Sequence, residues 1–555
     1  MIRKVVLILF LAGSPLMAAL SQQTPGERGE IRDTEFIIRK DRVLTLPKQP
    51  RVFERTPSLP PVSSRENYSY SVQNFFVDLD PVKLDIQPFT KAFPREEAEQ
   101  FSTFGKLGFG NYSSPLLQLR IHSLPDPDMN YGIDISHQGF YEGPVDGKNS
   151  AEDHSKVDLT GSLFRDNVEF FGKLGFHRDM YHFYGYTPIP AIEIVPEDIR
   201  QVFNTFRATA GLRKIERTES FDFDAALGLR LFADRYEASE NEASIKAHAG
   251  FRANESLHGG IHSRLYFTSP SDITYSDINR NYFKLNPYIA FQQEGFKIRI
   301  GANVVQENDI VPNKNMDFHI FPEAFISYHF VPGFGIYGAY EGDVIRNTYY
   351  DFVMENPFLG PSAQLRNTIQ NYQVDAGVTG AINGELTYKA GFKYGDFTNM
   401  HFYGNNVQDS TRFQLIYDDV TTVLQYHVNV GYNFDENYKL DASANYYQYT
   451  LSELAAPWHR PEWEINITNT FTPTKKWLIN ADFRAMGGIA AVNLASGTRD
   501  TLKPILDLNL GVDYSIHPQF SVFAAGNNLM NQRYERYWNY RVRGAQIIGG
   551  ISFKF

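Results

Sequence analysis

The residues best able to do chemistry are few and scattered. The chain has 14 His and no Cys in 555 residues. His177, His182 and His319 lie in different segments, with no HExxH run and no cysteine spacing of the kind that holds zinc. Asp126 and Asp128 have the spacing of a calcium loop but equally that of a polar turn. Ser155 lacks the GxSxG setting of a strained nucleophile elbow. These patterns define no catalytic, cofactor-binding or metal-ligating set, and the sequence reads as a non-enzyme. Aromatic runs stand out more. Met180-Tyr181-His182-Phe183-Tyr184-Gly185-Tyr186, Phe402-Tyr403 and the group Tyr534, Tyr537, Trp538 and Tyr540 fall at the ends of strand-like stretches. Such rings anchor in a headgroup layer, pack loops, or offer a stacking surface to a sugar or a protein.

The elements that carry these residues are strands. In the last fifty residues Leu506, Leu508, Leu510, Val512 and Tyr514 alternate with Asp507, Asn509, Gly511 and Asp513. Phe520, Val522 and Ala524 resume the pattern. Ile547, Ile551, Phe553 and Phe555 then share one face, opposite Gln546, Ser552 and Lys554. Period two with one greasy and one wet face is a half-buried strand. From residue 101 this grammar repeats in 23 candidate segments, with the division uncertain near 101–123 and 411–434. An all-β, transmembrane antiparallel β-barrel of about 22 strands is expected, within a range of 16 to 24. In the last third, short connections at 435–437, 472–476 and 517–518 alternate with long ones at 451–461, 489–503 and 528–543. Outer-membrane barrels have short periplasmic turns and long external loops. Both termini are therefore expected in the periplasm.

Strand faces follow from the alternation. Tyr426, Val428, Val430, Tyr432 and Phe434 are assigned to lipid, and Gln425, His427, Asn429 and Asn433 to the lumen. Ile465, Ile467, Phe471, Ile479, Ala481 and Phe483 face out by the same rule. Glu464, Asn466, Thr468, Asn480, Asp482 and Arg484 face in. The expected lumen is polar and carries both signs of charge.

Ahead of the barrel, Arg3 and Lys4 precede the apolar run Val5 to Ala12, and the small residues Ala19 and Ser21 precede Gln22. This is the order of a secretory signal peptide over 1–21. Its removal takes away two bases and no acid, so the formal charge moves from -11 to -13. An acidic chain without a basic tract gives no support for nucleic-acid binding. Residues 22–100 include Pro47, Pro50, Pro57, Pro60 and Pro61 and read as a Pro-rich periplasmic segment. Residues 101–555 form the barrel.

The stretch Phe520–Tyr534, FSVFAAGNNLMNQRY, resembles the end of the TonB-dependent receptor barrel, with its loop start at Asn528, Leu529, Asn531 and Tyr534. His459 to Gly488 resembles the strand pair before it, and the closing strand ending in Phe555 also fits. The resemblance implies a Gram-negative cell outer membrane, contact with its lipid, and transport of a solute through the lumen. It departs from the family in the 22–100 segment, which does not match the folded plug of such receptors. Whether TonB is used therefore stays open. The lumen would be open or filled by 22–100, by inward-folded loops or by another protein. The alternative is a plugless barrel subunit of an outer-membrane secretion or protein-assembly complex. In that case 22–100 would hold a periplasmic partner, and the external loops a surface lipoprotein or another protein.

Overall fold

The computed structural model describes residues 101–555, apart from 190–192, 217–219, 277, 310–315, 362–363, 407 and 495. The expected signal peptide and the 22–100 segment lie outside the described residues. Twenty-two strands form one antiparallel sheet in which each strand pairs with its neighbours in sequence. The first, Thr103–Gly110, pairs with the last, Gln546–Lys554, and the sheet closes. Backbone bonds between Thr103 and Phe555, 2.7 and 2.9 Å long, finish the seam. Closure leaves no edge, and this lets a sheet sit in hydrocarbon. No helix among the described residues is long and apolar enough to cross a membrane.

Twenty-three expected segments become 22 strands at one of the two places where the division was uncertain. Residues 411–418 and 422–434 are a single strand, Phe413–Phe434. The expected division falls just after the consecutive acids Asp418 and Asp419. Instead, the fully buried Asp418 carboxylate accepts the backbone N–H groups of Ser452, Glu453 and Leu454, at 2.8 to 3.0 Å, and the Thr421 hydroxyl at 2.8 Å. Four donors replace water around the charge. The strand therefore continues through it.

The two rims differ as expected. The rim where the first strand begins and the last one ends has tight turns, such as 166–167, 294–295 and 435–437. The opposite rim has connections as long as 183–199, 346–367, 488–504 and 528–545. Two of these contain small hairpins, Ala490–Asn493 with Thr498–Thr501 and Glu535–Tyr537 with Tyr540–Arg541.

The faces divide as the alternation demands. Tyr426, Val428 and Phe434 are 51, 46 and 57% exposed on the outer wall, whereas His427 between them is 4% exposed. So broad an apolar exterior is stable against lipid, not water. Inside, charges pair with one another. Asp375 takes Lys389 at 3.2 Å, His427 at 3.1 Å and the Tyr337 hydroxyl at 2.9 Å. Lys284 meets Asp343 at 2.6 Å, and Lys106 meets Asp513 at 3.3 Å.

The closing seam sets one sharp steric demand. A side chain at Gly550 would run into the Leu107 carbonyl oxygen and lie 2.7 Å from both Gly108 Cα and the Phe523 ring. At Gly161 an added Cβ meets nothing within 4 Å. Gly550→Val is expected to cost at least about 3 kcal/mol, the upper end for overpacking, because backbone cannot move aside. It should abolish the fast-migrating folded band on unheated SDS gels. Gly161→Ala should leave that band intact.

Candidate functional site: a closure built by loops at the barrel mouth

The connection 346–367 does not stand out into solvent. It carries a short α-helix, Tyr349–Glu355, that folds over the lumen. The helix begins at Thr348-x-x-Asp351. The Thr348 hydroxyl accepts the Asp351 N–H at 3.1 Å, and the Asp351 carboxylate accepts the Thr348 N–H at 3.0 Å, completing a capping box. Seven residues are too few to hold a helix in water. Tertiary contacts supply the rest. The buried Glu240 carboxylate, on the inner wall, accepts the N–H of Tyr349 at 2.8 Å and of Tyr350 at 3.4 Å. Arg230 bridges Glu240 and Glu242 at 2.8 and 3.0 Å, and Arg346 reaches Glu242 at 2.6 Å. Arg207 donates to the Tyr350 hydroxyl. The negative charge lies at the positive end of the helix, where it is favoured.

Around the helix the aromatic runs converge. Phe183 directly follows the fifth strand, Phe203 and Phe232 lie on the sixth and seventh, and Tyr403 and Phe413 on the fifteenth and sixteenth. These groups are nearly opposite each other around a ring of 22. They share one buried cluster with Tyr349, Phe352, Val353 and Phe358, and with Tyr537 and Tyr540 of the last long loop. Phe358 stacks on Tyr540 at 3.5 Å and meets Tyr184 at 5.8 Å. The Arg412 guanidinium lies over the Phe183 ring at 4.4 Å and so joins the two sides directly. Each ring pair adds about 0.5–1.5 kcal/mol beyond burial.

Polar groups fasten the cluster from above. Glu355 receives Arg460 at 2.8 Å, His401 at 2.9 Å and the Tyr403 hydroxyl at 3.1 Å. Burial opposes its charge, but the His401 hydrogen bond and the Arg460 charge hold its carboxyl down at about 2. The Tyr537 hydroxyl donates to the Glu355 carbonyl at 2.7 Å. Arg543 ties the last loop to the connection 141–151 through Glu152 at 2.6 Å and the carbonyls of Ser150 and Glu142 at 2.9 and 3.0 Å. Asn528, with φ of 46°, closes the neck of that loop by donating to the carbonyls of Gln532 and Arg543, both at 2.7 Å. Tyr534 donates to Asp507 at 2.8 Å.

His459 sits at the junction of three loops. Its Nδ1 faces the Tyr403 carbonyl at 2.7 Å, so Nδ1 carries the proton and donates. Its Nε2 accepts the Trp538 N–H at 3.4 Å, and Arg536 holds its carbonyl at 2.6 Å. Burial, with the nearby Arg536 charge, pushes its pKa down to about 4 against the pull of the Tyr403 carbonyl.

The other chemically capable residues are dispersed. His177 meets Asp158 at 3.0 Å, and His182 donates to the Ala151 carbonyl at 2.7 Å. Asp126 accepts the N–H groups of Asp128 and Met129 and builds a turn. Ser155 lies 2.9 Å from His137 Nδ1, but the other ring nitrogen faces the Tyr141 hydroxyl at 3.2 Å, not a carboxylate that would stabilise an imidazolium. His319 stands on the inner wall beside Glu307. The sequence reading found the rings but missed the helix between them. Its one local signal is Thr348-x-x-Asp351 before Phe352-Val353.

Fold and site together define a closed 22-stranded transmembrane barrel whose mouth is covered by its own loops. No family model and no curated protein matches the sequence. Solved structures do match the fold. The FrpB iron transporter from Neisseria meningitidis aligns at TM-score 0.63 and 9% identity, over 83% of this chain and 82% of that one. The siderophore receptor PirA from Acinetobacter baumannii aligns at 0.62 and 9%, over 82% and 81%. The ferric-catecholate import receptor Fiu from E. coli K12 aligns at 0.60 and 10%, over 82% of each chain. The fold is thus that of the TonB-dependent outer-membrane receptor barrels.

Several shifted groups make the closure respond to acid, His459, His401 and Glu355 among them. His459 is kept neutral, so its contribution is complete above pH 6.5 and is lost as pH falls through 4. Glu355 is kept charged, so its contribution is complete above pH 4.5 and is lost toward pH 2. The His459 term amounts to about 3 kcal/mol. The chain has no native Cys, so Leu359→Cys provides a single buried probe. Its thiol labelling, normalised at each pH to the unfolded chain, should rise from pH 6.5 to 4. Adding His459→Gln should reduce that rise, leaving the part that comes from His401, whose pKa burial also lowers, and the change below 4.5. An unchanged profile would show that His459 does not fasten the loops.

Proposed function

We propose that the protein is an outer-membrane transport barrel whose solute passes through the polar lumen when the loops 346–367 and 528–545 withdraw from the mouth. The observation that carries this is the aromatic cluster joining opposite walls above a wet, charged interior. A polar passage with a removable apolar stopper is the arrangement of a gated conduit. The similar solved structures are named as import receptors and transporters. We take uptake from that likeness and leave the solute unassigned. The long loops then face outward and both termini face the periplasm. Residues 1–21 are removed on export, and 22–100 are left on the periplasmic side, placed to meet a periplasmic partner. TonB would be one such partner, if energised uptake is used.

A barrel subunit of a secretion or assembly complex would share the fold. Its own loops would not need to seal the mouth against themselves. Single-channel recording in planar bilayers separates the two readings. The intact protein should be nearly silent. Removing 349–360 and joining the ends with a short Gly-Ser linker should give large, steady conductance, alone or combined with deletion of 22–100. Conductance only after 22–100 is deleted would move the gate to that segment. Silence in all forms would overturn the conduit reading.

A further inference from the structure

Three side chains on the inner wall near the mouth belong to neither the aromatic closure nor its fastenings. Glu307 ends the strand Phe296–Glu307, and Asp317 and His319 begin the next, Asp317–Val331. Glu307 is directly opposite Asp317 in the ladder, and His319 is opposite Val305, two residues from Glu307. Phe318 and Ile320, between and beyond them, are 62% exposed on the outer wall, so the three face the lumen. One donor atom from each lies within 4.8 Å of the others.

We propose that Glu307, Asp317 and His319 form a binding site for a divalent transition-metal ion. Two carboxylate oxygens and one imidazole nitrogen are the hard-to-borderline donor set suited to Zn2+ and its neighbours in the first row. Donors around a tetrahedral ion with bonds of about 2.1 Å stand about 3.4 Å apart. His319 Nε2 and Glu307 Oε1 are already 3.7 Å apart. That Nε2 atom is buried and has no hydrogen-bond partner among the described residues, whereas buried ring nitrogens are ordinarily satisfied. Phe321 stacks on the His319 ring at 5.7 Å and fixes its plane. Asn367 donates to the second Glu307 oxygen at 2.6 Å, and Arg280 in turn donates to the Asn367 side chain at 2.8 Å. Ligating carboxylates are commonly oriented by such outer partners. Arg280 also pairs with Asp309 at 3.1 Å. Asn367 is the last residue of the gating connection, so an ion here would sit at the root of the gate. The binding itself does not depend on the transport reading.

The full-length refolded protein is titrated calorimetrically with ZnCl2 in detergent, using variants that keep the folded band on unheated gels. One Zn2+ per chain is expected. His319→Ala and Asp317→Asn should each weaken it at least about 10-fold, the scale on which even outer-shell changes act. His177→Ala, remote from the site, should leave it unchanged. Absence of binding, or equal binding by His319→Ala, overturns the site. If both ligand variants fail to fold, Co2+ added to the unaltered protein decides. Intense visible bands of a low-symmetry site sustain the proposal, and the pale spectrum of the aqueous ion overturns it. Conductance is recorded separately, so a silent channel that binds Zn2+ refutes the conduit and not the metal site.

Discussion

An unpaired peptide group in hydrocarbon costs several kcal/mol, and a sheet edge is a row of them. The rest of this molecule depends on the seam between Thr103–Gly110 and Gln546–Lys554 that removes the edge. Because the first and last strands must meet antiparallel, the strand number is even and both ends of the barrel share a rim. Because every strand runs opposite to its neighbours, connections alternate between the rims, and the long ones fall at the other rim. Closing the wall therefore sets these loops in a ring around the mouth, and their length lets them cover it.

A closed ring of 22 strands creates a second difficulty, a wide hole. Two different materials meet it here. Within the lumen, pairs between nearby strands such as Lys284–Asp343 and the Asp375 group use up charge without excluding water. At the mouth, rings from nearly opposite walls exclude it. Buried charges beside those rings are tolerated because each is saturated: Glu240 by Arg230 and two helix N–H groups, and Glu355 by Arg460, His401 and Tyr403. Removing one partner would leave a buried charge exposed to low dielectric, typically a loss of about 3–5 kcal/mol. The closure therefore holds together or lets go as a unit.

Much of this wall was legible in the sequence, because alternation is a local pattern with a direct geometric meaning. Tyr426 and Val428 against His427 could be assigned to their faces without coordinates. Asp418-Asp419 was not legible, since its donors come from residues 452–454, more than thirty positions away. The helix Tyr349–Glu355 was hidden for the same reason: its principal cap, Glu240, is 109 residues distant. The aromatic runs were conspicuous individually. Nothing local shows that Phe183, Tyr403 and Tyr540 meet, because that follows only from the order of strands around the ring. His319 was conspicuous alone, but its grouping with Glu307 and Asp317 was not legible, because a ladder, not a spacing motif, brings them together.

The 22-residue strand Phe413–Phe434 is longer than a bilayer requires. Its lipid-facing apolar residues run from Val420 to Phe434, and the seven residues before them rise beyond that belt. With about 3.3 Å per residue and a tilt of about 45°, Phe413 stands roughly 16 Å above the belt. The headgroup layer takes up about 5–7 Å of that height, so Phe413 stands about 10 Å, little more than one Debye length in physiological salt, beyond the charged surface. The stopper is thus raised on a collar where the membrane's own surface potential is largely screened. Its ionisable fastenings sense chiefly the acidity of the bulk medium, with lipid headgroup charge a minor influence.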